Sequence, residues 1–258
     1  MNERSKTILT NKEFWEDEWK NLDLPIILEP SIRADRSFIN LFNKHLSIVD
    51  GKNKTCLEIG CNPGKFLIYC AKFLNYDIYG IDFEEKGCLL TEKNLKAVGI
   101  NGSISQQDIF NLDTNQKFDL ILSCGFIEHF AGVKLDEVLK IHVDLLKENG
   151  KLFLSVPNFR YLNYVFSYFF RKNMLDHHNL KIMQKSFFID FAEKNNLTIE
   201  YLGYFGGIHP GGLKLGTKNI FKKFITKNLI NRIEKYQILD RINSKYFSHH
   251  IGVVLVKN

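Results

Sequence analysis

The sequence predicts an α/β fold built on a parallel sheet, and three observations lead there. Between residues 55 and 158, short apolar, β-branched runs alternate with longer amphipathic stretches, the alternation that βα units produce. The first run passes through a glycine-bearing turn, Cys56-Leu-Glu-Ile-Gly-Cys-Asn-Pro-Gly-Lys-Phe66, into a helical pattern. The next two runs each close on an aspartate, Asp82 and Asp108. Composition agrees: 258 residues, 45% hydrophobic and 25% charged, suit an ordinary globular chain. At about 150 residues per domain this is one large domain or one domain with a lobe.

Taken in order, residues 1–50 carry Trp15, Trp19 and an amphipathic Phe38-Leu41-Phe42-His45-Leu46 pattern, read as cap helices ahead of the sheet. Residues 51–258 form the main domain. Its first five strands are expected at Thr55–Gly60, Asp77–Phe83, Ser103–Asp108, Phe118–Cys124 and Gly150–Pro157, with helices starting near Lys65, Glu85 and Val133. The third helix, over 133–148, shows Val133, Leu135, Val138, Leu139, Ile141, Val143, Leu145 and Leu146 on one broad face, and Asn149-Gly150 supplies its stop. A helix at about Met183–Asn195 and strands at Leu197–Phe205 and Ile251–Val256 complete the pattern. Two insertions interrupt it, an aromatic one at 159–182 and a basic one at 208–247. Long connections of that kind are disproportionately functional.

Charge is unevenly placed. The net charge is +6, yet Gly212 to Lys245 holds nine basic residues against two acidic ones, an excess of 9 − 2 = +7. The rest sums to 6 − 7 = −1, so one segment carries the basic character and points to a partner surface. Five cysteines without CxxC spacing (Cys56, Cys61, Cys70, Cys88, Cys124) read as free core thiols in a reducing cytoplasm. The N-terminus lacks an apolar signal core, and the run at 164–170 is far short of the ~20 residues that span a bilayer. Secretion and membrane insertion are not expected, and a cytoplasmic location is.

In the turn, Gly60 and Gly64 let the backbone bend tightly and approach a ligand, and Asn62 tolerates positive φ. Asp82 closes the second strand 18 residues after Gly64, where a carboxylate can accept hydrogen bonds from both hydroxyls of a ribose. Asp108 closes the third. These are successive strand ends on one carboxyl edge, where open α/β sheets bind ligands. The turn is not a phosphate-binding Walker loop, because Phe66 stands where Ser or Thr would meet magnesium, and it lacks the GxGxxG spacing of nicotinamide sites.

Five motifs in sequence, ExGxxxG at 58–64, the acidic end of strand two, the QD-plus-apolar end of strand three, FDLILSCGFIEHF at 118–130 and LLKENGKLFLSVPN at 145–158, resemble those of class I S-adenosylmethionine-dependent methyltransferases. That resemblance implies a Rossmann-like fold: seven strands, mostly parallel, the last antiparallel, with helices on both faces. It implies S-adenosylmethionine as cofactor, with Gly60 and Gly64 along the methionine end, Glu58 supporting it, Asp82 on the ribose, Asp108 at the adenine amino group and Ile109 against the ring. Cys61, Asn62, Phe83 and Cys124 complete the expected cofactor-binding set.

Methyl transfer asks for in-line positioning, exclusion of water and, for a hydroxyl acceptor, removal of a proton. His129, just beyond strand four, is the first candidate base. His177 and His178 in LDHHN and His209 in GGIHPGG compete with it, and each has the plain alternative of a core or surface histidine. No carboxylate cluster with convincing metal spacing is visible, so no metal is assigned. Ser123-Cys124-Gly125-Phe126 replaces the Asp/Asn-Pro-Pro-aromatic signature of base-modifying enzymes, which disfavours nucleic acid as a partner. The expected acceptor is a small anionic oxygen compound, such as a sugar nucleotide, a phosphorylated sugar or a phosphate-like group of a surface-polysaccharide precursor. The rivals are an RNA methyltransferase using the basic stretch and a cofactor-binding scaffold without catalysis. The aromatic insertion is read as a lid or homodimer surface, with packing onto the sheet as its alternative. The basic stretch is read as an acceptor lobe, with a solvated helix face as its alternative.

Overall fold

The computed structural model describes residues 8–10, 14–15, 22–50, 54–170, 172–208 and 242–258. The strands are β1 (Thr55–Ile59), β2 (Asp77–Asp82), β3 (Ser103–Gln106), β4 (Phe118–Cys124), β5 (Leu146–Pro157), β6 (Leu197–Ile208) and β7 (Ser248–Lys257). The helices are α1 (Arg33–His45), α2 (Lys65–Leu74), α3 (Glu85–Ala97), α4 (Gly132–Asp144), α5 (Leu162–Phe170), α6 (Lys172–Asp176) and α7 (Lys185–Lys194). They form one seven-stranded sheet in the order β3-β2-β1-β4-β5-β7-β6. The first five strands pair in parallel, and β7 runs antiparallel to both β5 and β6. Strand order reverses at β1, which opens a crevice at the carboxyl ends of β1 and β4.

The strands are apolar on both faces, and their period of two divides the core in two. Leu57, Ile59, Ile121, Leu152 and Leu154 pack with Leu135, Val138 and Leu139 of α4 and Phe188 and Phe191 of α7. Cys56, Leu120, Leu122 and Phe153 pack on the other face with Phe38 and Phe42 of α1 and Leu67 and Cys70 of α2. Helices therefore cover both faces, as expected.

Several boundaries depart from the sequence reading: β5 starts at Leu146 rather than Gly150, β6 runs on to Ile208, and β7 spans Ser248–Lys257. Helix α4 stops at Asp144 rather than 148, because Leu146 already pairs with Phe118 in the sheet. Leu145 and Leu146 are both buried, Leu145 as the C-cap of α4 with its amide on the Ile141 carbonyl and Leu146 as the first residue of β5, and Asn149 takes a φ of 62° at the bend. Strand β3 ends at Gln106, which leaves Asp108 beyond it. The aromatic insertion folds as α5, α6 and a short 3-10 turn at Leu180–Ile182. Packing of its rings onto the sheet is overturned, since Tyr161, Tyr164, Phe166, Tyr168 and Phe169 stay 40% to 70% exposed. Trp19, His209 and the basic stretch up to Arg241 lie outside the described residues.

Two glycines allow a test of how tightly β1 turns. Gly60 (φ 74°) would place a Cβ 2.7 Å from the Phe126 ring, whereas Gly99 (φ 70°) has open space around it. Both substitutions strain the backbone, but only one meets a packed ring. Gly60→Ala is therefore expected to cost about 1 to 3 kcal/mol more than Gly99→Ala in urea unfolding. Equal losses would show that the turn yields.

Candidate functional site

The turn after β1 is pinned to its neighbour: the amides of Gly60 and Cys61 both donate to the Ile81 carbonyl, at 2.9 and 3.2 Å. Gly64, at φ 83°, then starts α2 without a side-chain cap, and the Leu67 amide in the first turn of the helix donates to the buried Glu58 carboxyl. A Cβ on Gly64 would come within 2.7 Å of Thr91 Cγ2. Asp82 ends β2 beside the turn. Its carboxylate accepts from the Asn62 amide at 3.4 Å and the Glu84 amide at 2.9 Å, and burial raises its pKa.

Beneath the turn, Glu58 is buried with its Oε2 lacking a hydrogen-bond partner, as does the buried Asn62 Oδ1. Burial pushes the Glu58 carboxyl well above the usual range. Unsatisfied buried acceptors next to a glycine cradle suit a polar, hydroxyl- and amine-bearing molecule such as the expected cofactor. Cys61 is wholly buried, and burial pushes its thiol and that of Cys124 well above the ordinary value, so neither is a nucleophile. Asp108 caps the short turn Ile109–Asn111, accepting from the Phe110 amide at 3.0 Å and from Asn111 Nδ2 at 2.9 Å. Ile109 is buried, whereas Phe83 is 60% exposed at the sheet edge.

Phe126, packed over Gly60, leads into the segment that carries His129. The fold gathers three of the four candidate histidines. His129 Nδ1 donates to the His177 carbonyl at 2.9 Å, and its ring centre lies 4.7 Å from that of His178. His178 Nδ1 donates to the Met174 carbonyl at 2.6 Å. Glu128, absent from the sequence-based candidates, completes the group: it is buried, Oε2 is unpartnered, and Oε1 lies 4.0 Å from His129 Nε2. Glu128, His129 and His178 bring one potential ligand atom each within 4.8 Å of one another, a set that can hold a metal ion. The sequence reading assigned no metal; this group of one carboxyl and two histidines forms across 50 residues of sequence, beyond the reach of a spacing pattern.

An N-terminal segment closes over these side chains. Ile8 bridges Phe130, the Leu9 amide donates to the His129 carbonyl at 2.8 Å, and His177 Nδ1 donates to the Leu9 carbonyl at 2.9 Å. Trp15 stands edge-on to His129 at 4.8 Å between ring centres, and Phe14 lies over His177 at 4.7 Å. Neither contact has a sequence signal beyond the aromatic residues themselves. On the far side, Phe159 meets His178 edge-on at 4.9 Å and lines an open cavity of about 600 Å³ with Arg160, Tyr161, Tyr164, Leu180, Lys181 and Gln184.

Burial keeps this cluster neutral. It pushes Glu128 up to about 8, His129 down to about 3 and His178 to about 4, and His142 inside α4 also falls to about 4. The unfolded chain takes up histidine protons below about 6.5 that the native state refuses, so stability falls as pH drops from there toward 4. Glu128 works oppositely: the native state holds a proton that the unfolded chain sheds above about 4.5, so its contribution declines as pH rises to about 8. The expected profile from these groups peaks near pH 6.5. Glu128→Gln is expected to flatten the descent between pH 6.5 and 8 in urea midpoints; an unchanged descent would remove Glu128 as its source.

Comparison with known proteins adds the following. Residues 33–202 match a family profile described as a methyltransferase domain. A Methanocaldococcus jannaschii protein provisionally named a protein N5-glutamine methyltransferase is 33% identical over 127 residues, 49% of this chain and 59% of that one. The ubiquinone biosynthesis O-methyltransferase of Pelagibacter ubique is 28% identical over 159 residues, 58% of this chain and 64% of that one. The chain thus spans about six-tenths of the length of these relatives. Among solved structures, a SAM-dependent methyltransferase from Archaeoglobus fulgidus superposes with a TM-score of 0.55 at 19% identity, covering 89% of this chain and 97% of that one.

Proposed function

The chain belongs to the methyltransferase-domain family, and from that premise we propose that it methylates an oxygen of a small anionic acceptor, with S-adenosylmethionine as donor. The cofactor, when bound, supplies a methyl group already activated on a sulfonium. Glu58, Gly60, Asn62 and Gly64 hold its amino-acid end, Asp82 its ribose, and Asp108 and Ile109 its adenine. His129, fixed through Nδ1 on the His177 carbonyl, turns Nε2 toward Glu128. Burial keeps that imidazole neutral at physiological pH, with its pKa held down at about 3, so Nε2 accepts a hydrogen bond from the acceptor's hydroxyl and takes the proton only as the methyl group arrives. Phe14 and Trp15 exclude water.

The observation that carries the oxygen reading is this buried histidine, held in one tautomer beside a carboxyl, since an O–H acceptor needs its proton removed. Arg160 and Lys181, with Tyr161 and Tyr164 in the same cavity, support an anionic acceptor with a ring that stacks: a sugar nucleotide, a phosphorylated sugar or a polysaccharide precursor in the cytoplasm. The test is turnover of such compounds against their uncharged counterparts at low and high salt. Salt-sensitive preference for the charged acceptor supports the reading. Salt-steep binding and methylation of RNA would favour an RNA enzyme, and failure to bind S-adenosylhomocysteine would favour a scaffold.

A further inference from the structure

Helix α5 is turned inside out. Its polar side chains face the protein: Asn163 donates to the carbonyls of Asn158 and Ser248, each at 2.9 Å, and Ser167 is buried. Leu162, Val165 and Phe169, at steps of three and four residues, are instead 54%, 50% and 70% exposed. A surface helix of a globular protein presents the opposite arrangement, and an apolar patch left outside marks an interaction site. The rim of this patch is basic. Exposed Lys172 lies over the Tyr168 ring at 5.6 Å, and exposed Lys245 lies over the rings of Tyr161 and Tyr246 at 5.7 and 5.1 Å.

We propose that this face docks on an anionic membrane surface, with Leu162, Val165 and Phe169 entering the headgroup boundary and Lys172 and Lys245 meeting lipid phosphates. Charge selects the occupant. A second copy related by a twofold axis would set the same basic rim against itself, whereas an anionic lipid surface complements it. In the sequence, Lys245 closes the Gly212–Lys245 stretch, whose basic excess of +7 has the same sign as this rim. Tyr161, Tyr164 and Tyr168 flank the apolar stripe and are partly exposed, as amphipathic rings are at a headgroup layer. Nine residues of helix reach about 13 Å, far less than the ~30 Å hydrocarbon core, so α5 lies along the surface. Among the described residues no helix is long and apolar enough to cross a membrane. The proposal shares Tyr161 and Tyr164 with the acceptor cavity but rests on Leu162, Val165, Phe169, Lys172 and Lys245, which the methyl-transfer reading does not use.

The test is co-sedimentation of the full chain with vesicles of phosphatidylcholine alone and of equal parts phosphatidylcholine and phosphatidylglycerol. Binding to the anionic vesicles is expected, at least about tenfold weaker to the neutral ones and weakened by salt. Val165→Ser with Phe169→Ser is expected to reduce it at least about tenfold, and Lys172→Glu with Lys245→Glu to a similar degree. Unfolding temperature and S-adenosylhomocysteine affinity should be unchanged in both. Absence of binding to anionic vesicles overturns the proposal, as does binding that both double variants leave intact. A dimer that Val165→Ser with Phe169→Ser dissociates, in a protein that ignores vesicles, assigns the face to a second copy and equally overturns it.

Discussion

Asp82→Ala is expected to weaken S-adenosylhomocysteine binding by at least about a hundredfold, from two charge-assisted hydrogen bonds of about 1.5 to 3 kcal/mol each. The carboxylate is well placed for that loss. Two backbone amides, from Asn62 and Glu84, aim it at the Gly60–Gly64 turn, so it meets a ligand without reorganising. Alanine also leaves those amides without their acceptor, and the turn loosens where the ligand needs it held. Asp82→Asn, which keeps the shape and drops the charge, should fall between wild type and alanine. Calorimetry showing unchanged affinity in Asp82→Ala would defeat the assignment of the ribose to β2.

The second large effect concerns the proton. His129→Ala is expected to lower turnover by about a hundredfold to ten-thousandfold while S-adenosylhomocysteine still binds. The split matters because His129 supports structure as well as chemistry: its ring occupies the space between Trp15 and His178. A merely structural loss would lower the unfolding temperature and leave the surviving folded enzyme active. His129→Asn, which retains a donor for the His177 carbonyl but has no basic lone pair, should share the loss of turnover with a smaller loss of stability. Near-normal turnover in either variant would move the role to His177, His178 or His209.

The sheet was legible in the sequence because each strand is a short β-branched run with a turn signal at its end, and Gly60, Asp82 and Asp108 mark the carboxyl edge directly. The end of α4 was not. Leu145 and Leu146 continue a helical period, and only the long-range pairing of Leu146 with Phe118 draws the chain into the sheet from Leu146 onward. The histidine cluster was legible as residue types and illegible as a constellation. His129 and His177 meet across 48 positions, and Leu9 and His177 across 168, separations that no periodicity encodes. Glu128 could have been singled out from its place beside His129, since a carboxyl next to an apolar strand end is headed for burial. The aromatic excess of 159–170 did signal something beyond core packing. What the composition left open was direction, and Asn163 sets that by anchoring the polar face of α5 inward.

Leu9 is bonded to the histidines through its backbone, donating from its amide to the carbonyl of His129 and accepting at its carbonyl from the ring of His177. Its side chain is irrelevant to both bonds. The constraint that this position places on the gene is therefore one of backbone rather than of side chain. Most replacements at position 9 leave the connection whole, while proline, which has no amide hydrogen, severs it.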